Sequence, residues 1–174
     1  MPLEIRNVLF ALSLVLLTSP SFAMGDESLT IHRALDHYEV IRTSLVDDTL
    51  DHTAEAAEAI EEILAALHRD LDLEAAAVAS ESRDRARDLL AQMHGAATGL
   101  TQATGDKDLT ATRDAFYELS KPMVQYRELM TGERPVVAYC PMERKSWLQQ
   151  EDAIGNPYAG QSMPSCGSVV SNGG

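Results

Sequence analysis

The chain has 174 residues, with 27 acidic against 14 basic side chains and a formal net charge of −13. Such a field repels a phosphate backbone and an anionic bilayer surface, so nucleic acid and acidic lipid are not the expected partners. Hydrophobic residues at 45% sustain a core, and an aromatic content of only 5% in an Ala- and Leu-rich chain favours helices over a β-sandwich.

The chain opens with Arg6, an apolar run from Val8 to Leu17, a break at Ser19-Pro20, and the small-x-small pattern Ser21-Phe22-Ala23. The run is too short for a bilayer span, which needs about 20 residues. This is the layout of a secretory signal peptide cleaved after Ala23. The expectation is an exported chain that is not membrane-embedded once residues 1–23 are removed.

Residues 24–134 carry most of the negative charge and a single proline, Pro122. They show four amphipathic stripes at helical spacing. The first is Ile31, Leu35, Tyr38, Ile41 and Leu45. The second is Ile60, Ile63, Leu64, Leu67 and Leu71. The third is Leu89, Leu90, Met93, Ala97 and Leu100. The fourth is Leu109, Phe116, Leu119, Met123, Tyr126 and Met130. Breaks rich in cap and turn residues fall at 48–52, 70–80 and 104–108, and Asp108 is placed to cap the fourth helix. Pro122 should kink that helix, because it removes one backbone donor and crowds the preceding turn. Short connections make neighbouring helices antiparallel. The expected fold class is therefore mainly α: an up-down four-helix bundle with a short irregular or β C-terminal lobe.

That lobe, residues 135–174, is nearly neutral and holds both cysteines and the single tryptophan. Val136 to Tyr139 reads as extended, Trp147-Leu148-Gln149 as a short helical or extended piece, Asn156 to Gly160 as a turn, and Ser168 to Val170 as a second strand. The lobe is too small to own a core, and Trp147 and Tyr158 are the residues expected to seat it on the bundle.

Chemistry concentrates here. Cys140 and Met142 place sulfurs at i and i+2, on one face of an extended chain, while Met163 and Cys166 place them at i and i+3, within one tight turn. If the Asn-Pro-Tyr turn folds the segment back, two thiolates and two thioethers converge. Thioethers suit zinc poorly, so that set would select Cu(I). The alternative is a Cys140–Cys166 disulfide closing a loop of about 26 residues, worth roughly 3–3.5 kcal/mol by chain entropy, with both methionines as gap-fillers. An exported chain permits either state.

The pattern Tyr139-Cys140-Pro141-Met142, then Trp147-Leu148-Gln149, then Ile154-x-Asn156-Pro157-Tyr158-x-Gly160-x-x-Met163-x-x-Cys166-Gly167 resembles the signature of a bacterial periplasmic family catalogued as domain of unknown function 3347. Ala34 to Asp48 and Ala115 to Ser120 are similar to that family's helical part. The family also occurs as an extension of heavy-metal efflux membrane-fusion proteins. The resemblance implies a periplasmic, Cu(I)- or Ag(I)-type metal-handling protein with Cys140, Met142, Met163 and Cys166 as ligands. Its partner would be an efflux adaptor or another periplasmic metal-handling protein. Trp147, Asn156, Pro157, Tyr158 and Gly160 would be scaffold. Ala159 departs from the family, which often carries a second aromatic there.

Other patterns carry less. His32, His37, His52, His68 and His94 include no H-x-x-x-H pair. Glu55, Glu58, Glu61 and Glu62 lack the Glu-x-x-His partners of a di-iron bundle and read as a solvated face. Ser146 and Ser165 have no defensible His-Asp partners, and no glycine-rich phosphate loop occurs, so no enzyme class is indicated. The competing function is a non-catalytic structural or protein-interaction module of the cell envelope, with Cys140–Cys166 as a permanent staple.

Overall fold

The computed structural model describes residues 29–171, so the leader expected at 1–23 lies outside the described residues. Four helices come first: α1 (Ile31–Val46), α2 (Thr53–Arg69), α3 (Arg83–Gly105) and α4 (Leu109–Arg127). Three strands follow: β1 (Val136–Cys140), β2 (Lys145–Gln149) and β3 (Ser168–Ser171). The protein is thus mainly helical, with a small antiparallel sheet at its C-terminal end.

The four stripes are the buried faces. Tyr38, Ile41, Leu45, Ile60, Leu64, Leu89, Leu90, Met93, Phe116, Leu119 and Tyr126 all belong to one core. Leu35 and Leu109 sit at its margin, and Ala34 takes the inward position beside Leu35. Local chemistry sets the helix starts. Thr30 Oγ1 accepts the Arg33 N–H at 3.3 Å, and Asp108 Oδ1 accepts those of Thr110 and Ala111 at 2.8 and 3.0 Å. α4 runs from Leu109 to Arg127 with Pro122 inside it and buried. Helices adjacent in sequence pack on one another, and α1 meets α4 where the Tyr38 and Phe116 rings stack at 4.5 Å.

The α2–α3 connection is more than a break. Asp72 Oδ1 accepts the N–H groups of Glu74 and Ala75, forming a turn. The turn delivers Ala76, Ala77 and Val78 to buried positions. Their backbone is then used up: the Ile31 N–H donates to Ala75 O, the Tyr126 hydroxyl to Ala76 O, and the Thr131 N–H to Ala77 O. Val78 pairs with Met130 in an isolated bridge. The segment ties the start of α1 to the end of α4.

The sheet order is β2-β1-β3, antiparallel throughout. β1 pairs with β2 from Val136↔Gln149 to Cys140↔Lys145, and with β3 at Ala138↔Val169 and Tyr139↔Ser168. The piece 147–149, open between helix and strand by sequence, is strand. β2 lies at the sheet edge against α4 and α1. Its Leu148 N–H donates to the Tyr38 phenol oxygen at 3.2 Å. The Ser120 hydroxyl donates to Phe116 O at 2.7 Å, which leaves the Tyr38 O–H to donate to Ser120 Oγ at 2.7 Å. An edge-strand donor, costly if buried unpaired, is thereby satisfied by the helices. Burial pushes the Tyr38 and Tyr126 phenols well above their ordinary range, so both remain neutral donors.

Candidate functional site

Cys140 is fully buried at the end of β1, and Cys166, half-buried, lies just before β3. Their Cα atoms are 5.7 Å apart and their sulfurs stand at disulfide distance. The pairing closes a loop of 26 residues around β2 and the 150–165 segment. The Glu143 N–H points at Cys140 Sγ, 3.5 Å away.

Two methionines flank this pair on the outside. Met142 lies in the β1–β2 hairpin turn and is 72% exposed; Met163 follows the short 3-10 turn Gly160–Ser162 and is 37% exposed. Neither fills a gap in the core. Each is only two or three residues from its cysteine, a backbone reach of at most about 7 and 11 Å respectively. The two cysteine sulfurs are paired to each other, and each methionine is near its own cysteine along the chain. A disulfide sulfur is not a thiolate, so the paired cysteines supply no thiolate ligand.

The rest of the motif is internal carpentry. The fully buried Trp147 indole donates to Gln149 Oε1 at 2.8 Å, and the Gln149 amide donates to the carbonyls of Glu151 and Ala153. Asn156, also fully buried, accepts the N–H groups of Tyr158 and Ala159 on Oδ1 at 2.9 and 3.2 Å. Its Nδ2 donates to Cys166 O at 3.1 Å, and its backbone N–H to Pro164 O at 2.8 Å. One side chain thus builds the turn and fastens it beside the disulfide. Tyr158 wedges between lobe and bundle, 5.9 Å from Trp147, 5.7 Å from Tyr117 and 6.2 Å from Phe116, centroid to centroid. Its hydroxyl donates to Ser146 O.

Asn156→Ala should lower the unfolding free energy by about 2–3 kcal/mol, because the buried Tyr158 N–H and the half-buried Ala159 N–H lose their acceptor at once and the Nδ2 bond to Cys166 O is lost with them. Urea denaturation followed by circular dichroism reads the loss; one below about 1 kcal/mol would contradict the role given to the Asn156 side chain.

Sequence reasoning missed three arginines that bolt the lobe down. The Arg42 guanidinium donates through Nη1 to Gly155 O at 2.9 Å while its other nitrogens grip Glu39. Arg113 donates to Pro157 O at 2.9 Å and to Leu45 O at 2.8 Å, and pairs with Asp48. Arg127 donates to Pro135 O at 2.9 Å. Beside Arg113, the Asp48 carboxyl is held below its ordinary range, first by that hydrogen bond. Gly160, at φ +51°, lies where an added Cβ would run into Asp48 and Arg113, so only glycine fits. The available signal was an arginine beside a stripe residue, as Arg42 follows Ile41 and Arg127 follows Tyr126.

The remaining candidates do not gather. His32 and His52 are exposed, and His37, His68 and His94 are half-buried. Among the described residues no three His, Cys, Asp or Glu side chains group as a metal site. Glu55, Glu58 and Glu62 are exposed, and Glu61 accepts the Thr98 hydroxyl. No helix of the described residues is long and apolar enough to cross a membrane. The chain matches no family model, no curated protein and no solved structure.

Proposed function

We propose that this chain is an exported, non-catalytic protein-interaction module of the cell envelope: an up-down four-helix bundle carrying a disulfide-stapled lobe. The observation that carries the reading is the pairing of Cys140 with Cys166, which spends both candidate thiolates on each other. The motif residues around them, Trp147, Gln149, Asn156 and Tyr158, support it by serving the interior of the lobe rather than a cavity. Packing between sequence neighbours and the Tyr38–Phe116 contact support the up-down order. Export rests on the leader pattern at 1–23.

A second reading has its own observation. Met142 and Met163 face solvent beside the cysteine pair instead of filling the core. In a reduced chain, Cys140, Met142, Met163 and Cys166 would form a soft donor set suited to Cu(I) as cargo. The resemblance of the C-terminal motif to the efflux-associated family points the same way.

Titration with Cu(I) against a competing chelator separates the two. The protein isolated without reductant should leave the ion with the chelator. One ion retained per unreduced chain would contradict the staple reading. Binding that appears only after reduction, and weakens in Met142→Ala/Met163→Ala, would establish the second reading for the reduced form.

A further inference from the structure

The chain has three lysines, Lys107, Lys121 and Lys145, against its charge of −13. Two of them converge on one ring: the Lys121 and Lys145 ammoniums each stand 5.2 Å from the Tyr117 centroid. Lys145 is also 5.0 Å from the Tyr158 centroid, so it sits between two aromatic faces. Bringing two cations to one ring costs mutual repulsion. The nearby carboxylates, Glu118 on Lys121 and Asp114 on Lys145, are 59% and 72% exposed, and exposed pairs are weak. Ring and ammoniums together make a positive, partly dry surface on an otherwise acidic molecule.

Of these groups Tyr117 and Lys121 line a cavity of about 280 Å³ between α4 and the β1–β2 hairpin, and Lys145 does not. Tyr117 and Val124 supply its apolar wall, and Lys121, Gln125, Arg144 and Ser146 its polar one. Arg144 is exposed, stands at φ +55° in the hairpin turn, and has no ion-pair partner among the described residues. A second groove of about 480 Å³ shares Lys121 and Gln125 and continues over α4, past Glu118 and Pro122, to Gln92 and Ala96 on α3, so carboxylates are drawn to the first cavity and not along the second.

We propose that this basic-aromatic groove is the docking surface, and that its occupant is an acidic peptide segment of a partner protein with an apolar residue beside its carboxylates. The carboxylates meet Arg144 and Lys121, and the apolar side chain lies on Tyr117 and Val124. Charge complementarity selects this partner: on a chain of −13, a cavity whose lining holds two basic side chains, Lys121 and Arg144, and no acidic one attracts acid where the rest of the surface repels it. Continuity with the second groove favours a peptide over a lone anion. The proposal rests on the interaction-module reading and names the surface and the partner's chemistry.

The test is an amide-resolved NMR titration of the unreduced chain with the peptide acetyl-EELEELE-amide at low salt. Acetyl-QQLQQLQ-amide and free acetate serve as comparisons. The proposal expects shifts centred on residues 117–125 and 143–147 with the acidic peptide, and binding at least tenfold weaker for the neutral peptide and for acetate. The variant Lys121→Gln/Arg144→Asn should weaken peptide binding about tenfold with an otherwise unchanged spectrum; asparagine tolerates the left-handed backbone of position 144. Shifts elsewhere, unchanged affinity in the variant, or acetate binding as tightly as the peptide would overturn it. So would a dimer whose contact shifts fall on the same residues, since a second copy would then occupy the groove. The cysteine pairing is read by the copper titration, so failure of the groove and failure of the staple are separate results.

Discussion

Trp147→Ala is expected to lower the unfolding free energy by about 4 kcal/mol, the largest single-residue loss in the molecule. The indole is fully buried in β2, touches Tyr158 edge-on, and closes against the backbone at Gly167, where even a Cβ would come within 2.9 Å of the ring. Truncation leaves a cavity that these neighbours cannot collapse into, because Tyr158 is held by its bond to Ser146 O and Asn156 holds the turn that carries it. It also leaves Gln149 Oε1 without its indole donor. Trp147→Phe keeps most of the volume and should cost about 1–2 kcal/mol. Guanidinium denaturation followed by far-ultraviolet circular dichroism reads both; a loss below about 1 kcal/mol for the alanine variant would mean that the lobe does not depend on this residue.

Removing the cross-link is the second large effect. Cys140→Ala/Cys166→Ala should lose about 3.5 kcal/mol, the chain-entropy value for a 26-residue loop. The native geometry should survive, because the Asn156 amide still holds Cys166 O in the parent fold and would hold the alanine carbonyl equally, while β1 remains paired on both edges. The variant should therefore show parental helical signal and a lower midpoint. A thiol reductant should bring the parent protein down to the same midpoint and leave the variant unmoved. A parent protein indifferent to reductant would contradict the stapled lobe.

What the sequence made legible is what local periodicity encodes. A stripe such as Ile60, Ile63, Leu64 and Leu67 can satisfy water only by turning one face inward, and each of these four is buried. Asp108 and Asn156 were equally readable, since their side-chain bonds run to backbone two or three residues away. The bolts were not readable for the converse reason. Arg42 reaches Gly155 across 113 positions and Tyr38 reaches Leu148 across 110, and nothing within either helix names the distant partner. The segment 70–79 looked like a break because its turn residues are real; its burial comes from Met130, Tyr126 and Ile31, which lie on other elements. At the sulfur cluster, spacing allowed either a staple or a ligand set, and only the fold-back brings Cys140 and Cys166 to 5.7 Å between Cα atoms. The exposure of Met142 and Met163 follows from their place in two turns on the outside of that closure.

The pairing of Cys140 with Cys166 is tested most directly by counting thiols on intact protein. The chain is isolated without reductant, unfolded in the presence of an alkylating reagent, and weighed by mass spectrometry. The account predicts a mass with no alkyl group added, rising by two groups after reduction. Two groups taken up before any reductant is added would contradict it.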